Sequence, residues 1–278
     1  MQLTPKPKQQ FLQLAINLKE KGMGQDPYLF TNKMYIMKKL FFALIFLPLI
    51  INSQNFKIKY EYEVPNGARI YYELKTNGEY SEFSNLMATE SDKQNVTLYS
   101  NDKKFFVLKD LKDNLLISTD FLGRKRIIIK DSLNILNWQL VNNSNKTILG
   151  IECEMAKASF RGRNYIAYYN PNIKIQDGPW KFQGLPGLIL EIYSEDDEYR
   201  YQAIEISKIP TFPVQKINYP KDNLYSWSSF KQLYINYVDN LISYFKTEKK
   251  ETGFTDYYKI NKPEIIHEKA QTGNGIEY

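Results

Sequence analysis

Phe56-Lys57-Ile58-Lys59-Tyr60-Glu61-Tyr62-Glu63-Val64, answered across Asn66-Gly67 by Ala68 to Thr76, is the stretch on which the fold turns. Its apolar residues fall at every second position, with Lys or Glu between them. Side chains alternate faces along a strand, so this is the pattern of a half-solvated antiparallel strand. Asn-Gly is a strong hairpin signal because both residues accept positive φ. Similar runs recur at Tyr80 to Ser84, Val96 to Ser100, Lys104 to Lys109, Leu115 to Thr119, Lys125 to Lys130, Trp138 to Val141, Thr147 to Ala158, Asn164 to Tyr169, Leu188 to Ser194 and Tyr199 to Ile206. Gly, Asn or Asp separates them, and no helical period intervenes, which favours a meander over βαβ units.

One helix is expected. Ser226 can cap it, and Trp227, Phe230, Leu233, Tyr234, Tyr237, Val238, Leu241, Tyr244 and Phe245 recur at three and four, up to Lys249. Such a stripe needs an apolar surface to cover, most simply a face of the sheet. Ser84 to Lys93 offers a weaker second helix. The polar residues 261–278 read as a frayed tail or, at Gly275-Ile276-Glu277-Tyr278, as an edge strand. The expected fold is therefore mainly β: a curved antiparallel meander sheet, half-barrel-like, with a C-terminal covering helix.

Gly178-Pro179-Trp180-Lys181-Phe182-Gln183-Gly184-Leu185-Pro186-Gly187-Leu188-Ile189-Leu190 is the most distinctive segment. Pro186-Gly187 reads as the centre of a type II turn, with positive φ at Gly187. Leu188, Leu190 and Ile192 then share one face of a buried strand. In an extended chain Trp180 and Phe182 also share a face. Two readings fit: a rigid turn that pins two aromatics over a core strand, and a binding lip. Glycine and proline set backbone geometry more often than they touch ligand, which favours the first.

The six residues Gly184 to Ile189 resemble the signature of the GLPGLI family, secreted proteins of Gram-negative bacteria with no established activity. Gly178 and Pro179 belong to the same signature. Trp138, Lys146, the Gly150-Ile151-Glu152-Cys153 strand, Lys157-Ala158, Arg161-Gly162-Arg163 and Tyr168-Tyr169 extend the resemblance from about Trp138 to Tyr193. Ile151 departs from it, since an aromatic is usual there. Gly275 to Tyr278 also resembles the closing strand-like segment of many members. The resemblance implies an exported envelope protein, periplasmic or associated with the outer membrane.

Residues 37–53 fit that expectation. Met37-Lys38-Lys39 is a basic n-region, and Leu40 to Ile51 is an apolar run shorter than the ~20 residues of a membrane span. Cleavage is expected after Ser53, and a retained anchor is the alternative. Residues 1–36 precede this signal without its features and read as a mis-annotated extension, which leaves 54–278 as one β-rich domain. The chain holds 37 basic and 31 acidic residues, but residues 1–53 hold 7 and 2 of these, so residues 54–278 carry a net +1. No nucleic-acid partner is expected from that balance, and no Lys/Arg stripe lies on a helix face.

Chemistry is sparse. Cys153 is the only cysteine and His267 the only histidine. An internal disulfide is impossible, and a His-rich metal site cannot form. Cys153 lies in strand register with Ile151 and Met155, the pattern of a buried thiol, although a redox or metal role stays open. His267 reads as a solvated bystander in the tail. Arg161 and Arg163 could clasp a phosphate or carboxylate, or form cross-strand pairs with acidic neighbours. Glu195-Asp196-Asp197-Glu198 lacks the alternating ligands and glycine turn of a calcium loop and reads as a solvated hairpin turn. Asp131-Ser132-Leu133 fits a hydroxyl-glycosylation pattern or a strand-end turn.

No cofactor, metal or catalytic residue is expected. Trp180, Phe182, Arg161 and Arg163 are the candidate ligand-binding residues. The leading expectation is a non-catalytic binding module for an apolar or amphipathic, lipid-like ligand or an outer-membrane protein, with membrane contact peripheral at most. A curved sheet roofed by an aromatic helix would make an apolar groove, by analogy with periplasmic lipoprotein carriers. The alternatives are a hydrolase built on paired carboxylates and a structural adaptor of an outer-membrane transporter.

Overall fold

The structure, a computed structural model, describes residues 55–63, 69–86, 105–133, 136–211, 224–252 (backbone only for 248–252) and 255–277. All belong to one unit spanning Ser53–Tyr278. Residues 1–53, where the extension and signal peptide are expected, the turn expected at Asn66-Gly67, the strand expected at Val96 to Ser100 and residues 87–93 of the weaker helix lie outside the described residues.

The chain forms β1 (Phe56–Glu63), β2 (Arg69–Thr76), β3 (Tyr80–Asn85), β4 (Phe106–Asp110), β5 (Leu115–Leu122) and β6 (Lys125–Ser132). It continues as β7 (Gln139–Ile148), β8 (Ile151–Phe160), β9 (Arg163–Asn170), β10 (Leu188–Ser194), β11 (Arg200–Lys208) and β12 (Leu224–Ser226). After these come α1 (Trp227–Thr252), β13 (Tyr257–Tyr258), α2 (Glu268–Gln271) and β14 (Ile276–Glu277). The mainly-β expectation holds: β1 to β12 make one large curved open sheet in the order β12-β6-β5-β4-β3-β2-β1-β11-β10-β9-β8-β7. Every pairing is antiparallel except β12 on β6. The meander runs outward from the centre along two arms, β2 to β6 on one side and β11 back to β7 on the other.

Curvature follows from contacts that a flat sheet could not make. Arg161, in the β8–β9 turn, is ion-paired with Asp131 at the end of β6. β9 and β8 stand eight and nine places from β6 in the sheet order, which at ~4.8 Å per strand would be roughly 40 Å if flat. The two arms must therefore curl toward each other.

Inside the curl lies the larger core. Alternate residues of β1 (Phe56, Ile58, Tyr60, Tyr62) meet Leu74, Phe83, Val107, Leu116, Phe160 and Tyr165, together with Ile175, Trp180, Phe182 and Leu185 of the β9–β10 segment. A second core forms where α1 covers β6: Ile127 and Ile129 pack against Phe230, Tyr234 and Val238. Ser226 caps this helix, its Oγ accepting the Ser229 N–H at 3.1 Å. The helix runs to Thr252, past the stop expected before Lys249. Its buried stripe is narrower than the sequence suggested, because Leu233, Tyr237 and Tyr244 stay exposed.

Two readings need correction. The strand expected from Thr147 to Ala158 is broken by a turn at Leu149-Gly150, both left-handed (φ 52° and 75°), and becomes the β7–β8 hairpin. The tail is not frayed. Gln271 folds it back: its Oε1 accepts the N–H groups of Ile266 (2.7 Å) and His267 (2.8 Å), while its Nε2 donates to the Glu264 carbonyl (2.7 Å). Ile266, Ala270 and Ile276 thereby join the second core. The closing segment pairs as β14 with β13 in a separate two-stranded sheet, not at an edge of the main one.

Candidate functional site

The β9–β10 segment is a plug inside the curled sheet. Asp177 and Gln183 bridge, and the chain between them doubles back, with the Phe182 N–H on the Pro179 carbonyl at 3.1 Å. Trp180 is therefore a left-handed turn residue (φ 51°), not part of an extended run. Its ring and that of Phe182 meet edge to face at 5.2 Å. Both are buried, at 4% and 1% exposure, so neither has surface to offer as a lip. The type II turn also gives way. The Gly187 N–H bonds the Leu185 carbonyl at 2.7 Å, a γ-turn around Pro186, and it is Gly184 that carries positive φ (91°). Gly187 is needed for space: a Cβ there would lie 2.1 Å from the Asn170 carbonyl oxygen.

The plug is pinned by a sealed ion pair. Lys109, on β4, sets its Nζ 2.5 Å from Asp177 Oδ1, and both side chains are wholly buried. The same ammonium donates to the Gly178 carbonyl at 2.7 Å and the Phe182 carbonyl at 3.3 Å. Burial pulls the Lys109 ammonium below its usual range, against Asp177, which holds it up. Trp138 donates its Nε1–H to the Gln183 carbonyl (2.8 Å), and Tyr60 its hydroxyl to the Ile189 carbonyl (2.6 Å). Glycine, proline and aromatic residues of the signature thus serve the fill of the sheet.

A second charge cluster closes the seam between the arms. Arg161 bonds Asp131 on one side and Glu264 Oε1 (2.5 Å) on the other, and stacks on the Trp227 ring, 3.3 Å from its centroid. Lys181 reaches the same Glu264 oxygen at 2.8 Å. Two cations and two carboxylates from four separate parts of the chain therefore neutralise each other. Beside them, Lys130, Asp131, Leu224, Tyr225 and Ser226 line an open depression of about 380 Å³. Arg163 is paired separately, with Asp196, and gives its Nε–H to the Pro263 carbonyl at 3.1 Å. The partners of both arginines are carboxylates of this chain, but they come from other strands, a turn and the tail instead of a neighbouring strand. Glu195 and Glu198 meet Lys157 (3.3 Å) and Lys259 (2.7 Å), so the acidic turn serves separate ion pairs.

Cys153 is a buried free thiol. Burial pushes its pKa up to about 11; Glu191 adds to the rise and Lys146 opposes it. A thiol held that high is a poor nucleophile near neutrality. Glu191 itself is fully buried between Lys146 and Arg200, each at 2.5 Å. His267 packs against α1 with its Nε2 3.2 Å from Asp239 Oδ1. Among the described residues, no group of three or more His, Cys, Asp or Glu is placed to hold a metal ion, and no helix is long and apolar enough to cross a membrane.

Lys109, Asp177, Lys181, Glu191 and Glu264 escaped the sequence reading. Lys109 carried a signal: it stands in register with Val107 and Leu111 on the apolar side of its strand. Glu191 did not: it alternates with core-facing Ile192, and it is buried on the opposite face by Lys146 and Arg200 from other strands.

Residues 69–191 match the model of a family described as a protein of unknown function (Porph_ging). No curated protein matches the chain. Among solved structures, PNGF-II in space group C2 superposes with a TM-score of 0.45 at 15% identity, over 66% of this chain and 32% of that one. The chain thus spans about a third of PNGF-II. An uncharacterized conserved protein from Thermus thermophilus gives 0.36 at 9% identity, over 63% and 91% of the two chains. A LolA-superfamily protein from Nitrosomonas europaea gives 0.26 at 12%, over 58% and 88%.

Proposed function

We propose that the chain is an exported cell-envelope protein of the GLPGLI type, and that it acts as a non-catalytic binding module that meets an outer-membrane partner or amphipathic ligand on its outer surface. One observation carries this reading: the inside of the curled sheet is already full. The plug and the tyrosines of β1, β9 and β11 occupy the space where a groove-bound lipid would lie. The ion pair inside is closed on itself, Lys109 with Asp177. Large apolar side chains are instead exposed on the edge strand β7 (Leu140), in the β7–β8 turn (Leu149) and along one side of α1 (Leu233, Tyr237, Tyr244). Apolar residues at a sheet edge and on a roof helix are suited to contact with a second surface.

Gentle cross-linking followed by purification from native envelopes tests the reading. A single dominant protein or lipid class should co-purify, and Leu140→Asp with Leu149→Asp should lower its recovery. The mature mass should correspond to a chain beginning at Gln54. Recovery of the protein alone would refute binding; an intact leader in a cytoplasmic fraction would refute export.

A further inference from the structure

We propose that Lys109 and Asp177 condense once the chain has folded, so that an isopeptide bond ties β4 to the plug. The proposal goes beyond the binding reading and does not rest on it. The ion pair described above is the state from which the bond forms.

Three features single this pair out. It is dry and exclusive: Nζ and Oδ1 are 2.5 Å apart, both side chains are at 0% exposure, and among the described residues no other ion pair shares either of them. Lys181 and Glu264 are almost as deeply buried, but Arg161 holds that same carboxylate in the rim cluster. The lysine is held as a nucleophile. The Gly178 and Phe182 carbonyls, at 2.7 and 3.3 Å, fix Nζ beside the carboxyl group. Burial lowers the Lys109 ammonium, against Asp177, and so favours the neutral amine that can attack. The aspartate is poorly served as a carboxylate. Its Oδ1 accepts the Gly178 N–H at 2.8 Å, whereas Oδ2 is buried with no hydrogen-bond partner among the described residues. An ionised oxygen left in that state costs more than a neutral amide oxygen.

The step balances without an outside reagent. A proton passes from Nζ to Oδ1 within their contact, leaving an amine beside a carboxylic acid. Nζ then bonds to Cγ. As the Cγ–Oδ1 bond breaks, Oδ1 takes a second proton from the nitrogen and departs as water, and Oδ2 remains as the amide oxygen. The Gly178 N–H is aimed at Oδ1, the atom on which charge gathers as that bond lengthens. Holding amine and acid in contact replaces an encounter between two molecules. The reaction also erases two charges that the interior keeps only at a cost, and full burial keeps out the water that reversal needs. The amide retains one N–H, for which the Gly178 carbonyl is the acceptor.

Peptide mapping tests this on the full chain, folded and incubated near neutral pH, then denatured and cut with trypsin. A lysine in an amide is no longer a cleavage site. Residues 105–112 should therefore appear joined to residues 175–181, lighter by one water than the two peptides together. The separate peptides should fall to a minor fraction. Chain held in urea for the same time should give none of the joined species, because only the fold brings the pair together. Lys109→Arg should abolish it, with circular dichroism checking that the variant folds; if that variant fails to fold, the map of the natural chain decides alone. Separate peptides of unaltered mass from the folded chain would overturn the proposal. So would a joined species that forms equally in urea, or a linear 175–181 peptide lighter by one water, which is the cyclic imide open to an Asp-Gly sequence.

Discussion

Lys109–Asp177 and the Arg161 cluster are both ion pairs at the plug, yet they do different work. The first is sealed at 0% exposure on both sides, and it joins β4 to the plug and to nothing else. The second sits at the rim. Arg161 is 14% exposed and collects partners from β6, the tail and Trp227, beside an open depression. A charge sealed without water is tolerable only while its partner stays, so the first pair pins one arrangement of the interior. Arg161 shares its load among Asp131, Glu264 and the Trp227 ring, so it keeps a partner when one is lost, whereas Lys181 relies on Glu264.

The largest effect should come from breaking the sealed pair on one side. Lys109→Met leaves Asp177 buried and unpaired, and should cost about 3–5 kcal/mol in urea unfolding. Adding Asp177→Leu should recover much of that loss, less the hydrogen bond that Asp177 Oδ1 accepts from the Gly178 N–H at 2.8 Å. A cost for the single variant no larger than that of a surface substitution would erase the distinction between the two sites.

At the rim the expected loss is smaller and local. Glu264→Gln should cost about 1–3 kcal/mol, because Arg161 keeps Asp131 while Lys181 loses its carboxylate. Hydrogen exchange should rise in residues 259–277 and stay unchanged in β1, β10 and β11. Equal loss of protection through the whole sheet would show that the seam supports the entire fold.

The mildest probe is alkaline pH, which addresses the sealed interior through groups other than the pair. Burial raises Cys153 from 9.0 to about 11 and Tyr169 from 10.0 to about 12, with a hydrogen bond to Glu154 contributing to the latter. Burial also raises Tyr60 and Tyr201 well above their usual value. All are protonated in the native state at pH values where the unfolded chain ionises. The stability they contribute is therefore complete below about pH 9 and lost as pH rises from 9 to 12. The urea midpoint should stay flat with respect to these groups up to about pH 9 and then fall. At pH 8 the native thiol should resist a disulfide reagent that titrates one equivalent after denaturation.

Much of the architecture was readable in one dimension. Alternation in β1 and the Ser226 cap depend on neighbours within a few residues, so local periodicity and capping chemistry were enough. The candidate site was harder to read for the opposite reason. The favoured reading, a rigid turn that holds Trp180 and Phe182 over a core strand, assumed an extended chain, whereas the Pro179–Phe182 hydrogen bond is what turns both into the core. The tail looked frayed because its polarity was visible and the double use of Gln271 was not.

By itself the sequence determined a β-rich body, a single amphipathic helix, a lone thiol without a disulfide partner and a lone histidine. These follow from residue type and spacing along the chain. Only the tertiary structure decided that the signature segment fills the sheet, that Lys109 finds Asp177, and that Arg161 reaches Asp131 across strands eight to nine places apart. Pairing of buried charges depends on which distant segments the curl of the sheet brings together, and no local pattern records that distance.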